Sequence, residues 1–105
     1  MIARTWHATA TVENADAYAH HFAAEVVPRL KAIAGHRGAW LLRRPAGHQV
    51  EFVAITLWDS IETVKQFAGA NPDVAIVEPQ ARAVLTQFDP FVTHYEVASG
   101  FTQAS

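Results

Sequence analysis

Val50-Glu51-Phe52-Val53-Ala54-Ile55-Thr56-Leu57-Trp58 is the stretch that decides the fold. In an extended chain successive side chains point to opposite faces. Phe52, Ala54 and Trp58 therefore share one face, and Val53, Ile55 and Leu57 share the other. A strand that is apolar on both faces is covered on both. One thin layer of helices covers only one face of a sheet in so short a chain. The simplest second cover is another copy of the chain, so this segment predicts a homodimer joined through the sheet face.

Working backwards, Pro45-Ala46-Gly47-His48 reads as a hairpin turn, and Ala39 to Arg44 as the strand before it. Gly35 and Gly38 close a preceding helix. That helix is expected from Ala15 to Ile33, because Tyr18, Phe22, Val26, Leu30 and Ile33 recur at spacings of four and three. Asn14 is its expected cap, and Asp16 favours the positive end of its dipole. Pro28 lies inside the pattern and lacks an N–H, which predicts a kink near Ala24 or Glu25 or a break into two pieces. Upstream, Ile2, Trp6, Ala8 and Ala10 alternate with Thr5, His7, Thr9 and Thr11, a strand from Ile2 to Val12.

Downstream, Asp59-Ser60-Ile61-Glu62 opens a short helix in the manner of a capping box, with Ile61, Val64, Phe67 and Ala68 inward. Gly69 and Asn71-Pro72-Asp73 break the chain. A last helix is expected from Pro79 to Gln87, with Ala81, Val84 and Leu85 inward, and Pro79 is tolerated in its first turn. A final strand follows from Phe91 to Val97, then a weakly patterned tail, 98–105. The order β-α-β-β-α-β predicts a ferredoxin-like α+β sandwich, an antiparallel sheet backed by helices. Two such sheets pressed face to face make a dimeric α/β barrel.

The chain has 105 residues, enough for a single domain over 1–105. Half of it is hydrophobic, 17% is charged and the formal net charge is −2, which argues against disordered arms and against a dedicated nucleic-acid binder. There is no cysteine, hence no disulfide framework and no thiolate chemistry. Neither a signal-peptide pattern nor an apolar run of membrane-spanning length is present. A cytoplasmic protein is the expectation. Three Trp, two Tyr and six Phe are a generous aromatic supply that must fill a core, line a cavity or meet a partner.

The residues also carry a family resemblance. The stretches are Ile2-Ala3-Arg4-Thr5-Trp6, Val27-Pro28-Arg29-Leu30, Gly35 through Arg44, Leu57 through Glu62 with Phe67-Ala68-Gly69, Phe88-Asp89-Pro90, and His94-Tyr95-Glu96-Val97. With these the chain resembles the antibiotic biosynthesis monooxygenase domain family of the dimeric α/β-barrel superfamily. The resemblance implies a homodimer with one pocket per subunit between sheet and helices. It also implies oxygenase chemistry on a small aromatic or polyketide-like molecule, with no metal or flavin cofactor. The haem-degrading branch asks for an Asn on the first strand, where this chain has Trp6. It asks for a Trp on the second helix, where Phe67 stands, and for a His shortly after, where only Val74 to Glu78 are found. These residues point away from haem.

Cofactor-free oxygenation needs a dry aromatic cavity, a base for a phenol and a donor for the developing oxyanion. Trp6, Tyr18, Phe22, Trp58 and Phe67 are the candidate walls and Arg82 a candidate donor. His94 and His21 are candidate bases, since histidine titrates near neutral pH, and Tyr95 is a further candidate catalytic group. On a strand His94 and Tyr95 face opposite ways. Phe91, Thr93 and Val97 share a face with Tyr95, which predicts Tyr95 inward. The alternative to an enzyme is a non-catalytic or stress-related homodimer that binds a small hydrophobic ligand.

Other constellations have plainer readings. His20-His21 with Glu25 offers metal-ligand types on one helix face without a third ligand, and reads as a surface or core-edge group. Arg29, Lys31, Arg37, Arg43 and Arg44, with His36 and His48, form an acid-free basic run between Val26 and Val50. A solvated face is the expectation there. No phosphate-binding glycine loop occurs, and Ser60, Ser99 and Ser105 sit at a cap or in the tail.

Overall fold

The computed structural model describes residues 1–101. Five strands form one antiparallel sheet: β1 (Ile2–Thr11), β2 (His36–Ala46), β3 (Gln49–Trp58), β4 (Gln87–Phe88) and β5 (Thr93–Glu96). The order is β2-β3-β1-β4, with β5 pairing β1 further along the same edge. This is the ferredoxin-like α+β arrangement, and the sheet of one chain is open. In register, Trp6 faces Ala54, Ala8 faces Phe52 and Ile2 faces Trp58. Directly opposed residues share a face. One face of the sheet therefore carries Arg4, Trp6, Ala8, Ala10, Val50, Phe52, Ala54, Thr56 and Trp58, all buried beneath the helices.

The long helix begins at Val12. Thr11 caps it, accepting a hydrogen bond from the Asn14 N–H at 3.2 Å, so Asn14 is the donor and not the cap. It runs as α1 (Val12–His21), a π-helical turn (Phe22–Val26) and α2 (Val27–Lys31). Pro28 has no N–H to give to the Ala24 carbonyl. The chain answers by widening one turn, and the Val27 N–H reaches back to the Phe22 carbonyl. The expected irregularity thus falls where the sequence places it, as a π turn.

α3 (Ile61–Ala68) is capped by Ser60, which accepts from the Thr63 N–H at 3.3 Å, one residue later than the Asp59 cap expected. Asp59 is engaged elsewhere, holding the Arg37 guanidinium at 2.6 and 2.8 Å. α4 (Pro79–Val84) is shorter than expected and ends at Leu85. The expected last strand, Phe91 to Val97, is shortened. β4 precedes it at Gln87–Phe88 and β5 covers only Thr93–Glu96, because Pro90 to Val92 leaves the edge to pair with the coil at Asp73–Ala75.

Two apolar clusters result. The larger joins Trp6, Tyr18, Phe22, Phe52 and Ala81. The smaller joins Leu30, Trp58 and Val64. On the opposite face of the sheet Val53, Ile55 and Leu57 are half-buried within the single chain. Trp40 and Leu42, paired to Ile55 and Val53, are 48% and 49% exposed.

Candidate functional site

A cavity of about 60 Å³ lies between the helices and the sheet. Trp6, Ala54 and Thr56 form its floor, Tyr18, Phe22, Val26 and Leu30 one wall, Phe67 another, and Ala75, Ile76 and Val92 close it from the coil. Arg4 forms its polar end. The π turn sits where the long helix contributes Phe22 and Val26, so the widened segment is itself cavity wall. Trp6 is fixed by its indole N–H, which donates to the Asp89 carbonyl at 2.7 Å. Its ring lies 6.3 Å from that of Tyr18.

Of the predicted walls, Trp6, Tyr18, Phe22 and Phe67 line the cavity. Trp58 does not. It is fully buried in the neighbouring cluster, its indole N–H donating to the Thr56 hydroxyl at 2.8 Å. Arg82 also lies elsewhere, donating to the Val77 carbonyl and covering the Phe88 ring at 5.2 Å. His21 is buried at the helix edge with its ring 6.3 Å from Tyr18, off the cavity lining.

The expected orientation of the last strand is reversed. His94 pairs with Arg4 and shares its inward face, whereas Tyr95 pairs with Ala3 on the open face and is 57% exposed. Phe91, counted on as inward company for Tyr95, is itself exposed. Alternation holds from Phe91 through Tyr95, with Val92 and His94 turned inward, so it is the face and not the period that differs from the expectation.

Arg4 at the polar end neighbours two further titratable groups, His94 and Asp73, which lie off the cavity lining. Arg4 donates from Nη2 to the Val74 carbonyl at 3.2 Å, and its Nε is buried without a partner. Burial pulls the Arg4 guanidinium down to about 10, with Asp73 opposing, so it remains a cation at neutral pH. His94 Nδ1 lies 3.2 Å from Asp73 Oδ1, and its Nε2 is buried with no partner. Burial, then the neighbouring Arg4, lower the His94 pKa below the usual histidine value, against the pull of Asp73. A neutral His94 whose Nδ1–H donates to Asp73 presents a free Nε2 lone pair. Burial pushes the Tyr18 phenol far up, so it keeps its proton as a potential donor on the cavity wall.

Arg4 and Asp73 were not among the sequence candidates. The signal for Arg4 was present: position 4 falls in the inward register of Trp6, Ala8 and Ala10, where a cation is out of place. The basic run behaves as a solvated face, with Arg29 paired to Glu78, Arg37 to Asp59, Arg43 to Asp16 and Arg44 to Glu51. Among the described residues no three His, Asp or Glu side chains gather as metal ligands, and no helix is long and apolar enough to cross a membrane.

Comparison with known proteins places the fold. No protein-family model and no curated protein matches the chain. Solved structures do. A protein from Bacillus cereus described as an antibiotic biosynthesis monooxygenase superposes with a TM-score of 0.69 at 16% identity, over 100% of this chain and 98% of that one. A monooxygenase from Streptomyces coelicolor, solved with nanaomycin D, gives 0.68 at 9% identity, over 98% and 92%. The haem degrader MhuD of Mycobacterium tuberculosis, solved with two haems in its active site, gives 0.61 at 19% identity, over 97% and 100%. The chain has the fold of antibiotic biosynthesis monooxygenase-type proteins, in agreement with the resemblance read from its residues.

Proposed function

We propose that the protein is a cofactor-independent monooxygenase of the antibiotic-biosynthesis type, acting on a small phenol held in the cavity. The observation that carries the reading is an aromatic-walled cavity that ends at a buried Arg4, with a neutral, Asp73-supported His94 directly beside it. His94 takes the phenolic proton. The electron-rich ring then reduces dioxygen, one oxygen atom entering the ring as a quinone carbonyl and the other leaving as water. Arg4 steadies the oxyanion, and Tyr18 donates from the wall. The Streptomyces coelicolor neighbour, a monooxygenase solved with nanaomycin D, supports this reading.

The volume narrows the choice. A bicyclic ligand needs a pocket of roughly 300 Å³, and the cavity encloses about 60 Å³. A single ring that displaces Ile76 on the coil is the fitting substrate, and a haem is far too large. The same volume favours, as a second reading, a protein that binds a very small ligand without transforming it. Assembly as a homodimer is part of the proposal: Trp40, Leu42, Ile55 and Tyr95 on the open sheet face would be covered by a second copy.

Oxygen uptake by the purified protein, with quinols, dihydroxynaphthalenes and anthrones and no added cofactor, tests the reading. Uptake with the quinols that falls at least tenfold in His94→Gln supports it. No uptake with any compound, while the same compounds quench tryptophan fluorescence, leaves the binding protein.

A further inference from the structure

Of the residues that line the cavity, one also stands in solvent. Ile76 is 41% exposed, whereas Trp6, Tyr18, Phe22, Leu30, Ala54 and Val92 are all buried. At this point a single side chain separates the apolar chamber from water. The half-buried residues of the lining are each held in place. Val26 lies in the π turn of the long helix. The Phe67 ring has the Arg4 and Arg29 guanidinium groups 5.6 and 5.5 Å from its centre, and the Trp58 ring at 6.1 Å. The Ala75 N–H donates to the Pro90 carbonyl at 3.0 Å. Ile76 has no such tie: among the described residues neither its N–H nor its carbonyl takes a partner.

The coil is pinned on either side of it. Before it, Arg4 Nη2 donates to the Val74 carbonyl at 3.2 Å, and the Val92 N–H to the Asp73 carbonyl at 2.8 Å. After it, Arg82 Nε donates to the Val77 carbonyl at 3.0 Å, and Arg29 holds the Glu78 carboxylate. Rotamer changes of exposed side chains take picoseconds to nanoseconds and need no backbone opening. The Ile76 side chain can therefore turn out of the wall while the coil keeps its bonds. The volume demands such a movement. One benzene ring fills an apolar cavity of about 150 Å³, and this one encloses about 60 Å³.

We infer that Ile76 is the residue that sets ligand size in this chain, a one-residue gate that yields to a single apolar ring and turns away a fused pair. This rests on the cavity being the ligand site, and it adds the entry route and the residue that decides which rings pass. A β-branched side chain has few χ1 positions, so the gate has few settings. Truncation to alanine removes it.

Saturable quenching of tryptophan fluorescence, with Trp6 on the cavity floor, follows nitrobenzene and 1-nitronaphthalene into the full chain. In Ile76→Ala the association rate of nitrobenzene should rise at least tenfold. The preference for nitrobenzene over 1-nitronaphthalene should fall by at least the same factor, the scale on which an apolar pocket discriminates by size. Ile76→Phe, with the larger side chain, should slow nitrobenzene entry at least tenfold. Ile76 is exposed and unbonded, so both variants should keep the urea midpoint of the unaltered protein. Association rates within twofold of the unaltered chain in both variants, or an unchanged preference in Ile76→Ala, overturns the inference. Ala54→Leu, which fills the floor, separates the two ways of failing, and Ala75→Leu does the same from the coil should the floor variant not fold. Saturable quenching that survives the filling places the ligand outside the cavity and removes site and gate together. Quenching abolished by the filling yet indifferent to Ile76 removes the gate alone.

Discussion

Arg4 on β1 and His94 on β5 are direct cross-strand partners on the buried face of the sheet, and each carries a buried nitrogen, Nε and Nε2, that nothing satisfies. Burial first, and then the neighbouring Arg4 cation, hold the His94 pKa below its usual value, while Arg4 keeps its own proton.

This gives a pH dependence of stability. His94 and His36 both have pKa values lowered first by burial. The unfolded chain therefore takes up protons before the folded chain as pH falls through about 6.5, and stability drops until the lowered folded values are passed. Asp59 and Glu51 are lowered by their arginine partners, so their stabilising pairs are lost in a separate window, below the usual carboxylate range. Urea midpoints measured from pH 7.5 to 5 should fall with acidification. The double variant His36→Asn, His94→Asn should flatten that fall.

The open sheet face gives a second test. Leu42→Glu places a carboxylate where the proposed partner copy packs. An uncompensated charge buried in an interface costs about 3 kcal/mol, or about a hundredfold in dissociation constant. Light scattering at micromolar concentration should show a dimer for the unaltered chain and a monomer for the variant. A monomer in both cases removes the dimer.

Two glycines separate steric from conformational cost. Gly35 and Gly69 both have positive φ, at 90° and 88°. A Cβ at Gly35 would stand 2.7 Å from Thr63 Cγ2, whereas one at Gly69 meets nothing within 4 Å. Gly69, at φ 88° and ψ −169°, sits in a region essentially confined to glycine, so Gly69→Ala should cost about 1–3 kcal/mol from the backbone alone. Gly35→Ala should cost clearly more. Denaturant unfolding of the pair reads the difference.

Thr56 and Trp58 form a fourth test. Thr56→Val leaves the fully buried indole N–H without its acceptor, a loss of about 1–3 kcal/mol. Trp58→Ala should cost about 3–5 kcal/mol, a large share of the stability of a small domain. Thr56 belongs to the cavity floor, so its change is read on stability alone, and denaturant unfolding of the two variants checks their order.

Arg29 and Glu78 join α2 to the coil that closes the cavity. Both side chains are partly exposed, and such pairs contribute little, about 0–1 kcal/mol. Glu78→Gln should leave global stability nearly unchanged while amide exchange at Val74 to Val77 quickens severalfold. Unchanged exchange there would mean the pair does not hold the coil.

Much of this architecture was legible from side-chain periodicity. The two apolar faces of β3 predicted both the buried face under the helices and the half-exposed face opposite, and Pro28 marked the irregular turn of the long helix. Caps were misplaced by one residue at α3 and by three at α1. Thr11, Asn14, Asp59 and Ser60 all have cap chemistry, and tertiary partners such as Arg37 decide among them. The site was legible in part. Four aromatic walls followed from the stripes on β1, α1 and α3. Arg4 was passed over because a lone cation in an apolar register reads as an exception to be ignored. The face of His94 was misread because the large apolar Phe91 points outward with Thr93 and Tyr95, while the smaller Val92 is the inward neighbour of His94.

The π turn at Phe22–Val26 carries a lesson in lineage. A π turn spends one residue more than an α-helical path between the same endpoints. Removing a single residue there, Ala23 or Ala24, would restore a regular helix without shortening it by a full turn. The residues beyond would keep their phase, with Leu30 still on the cavity, while the wall between Phe22 and Val26 would lose its bulge. Relatives with and without that extra residue would therefore share a backbone trace and differ in the shape of the chamber, so a length change of one in this helix is a marker for sorting them by ligand.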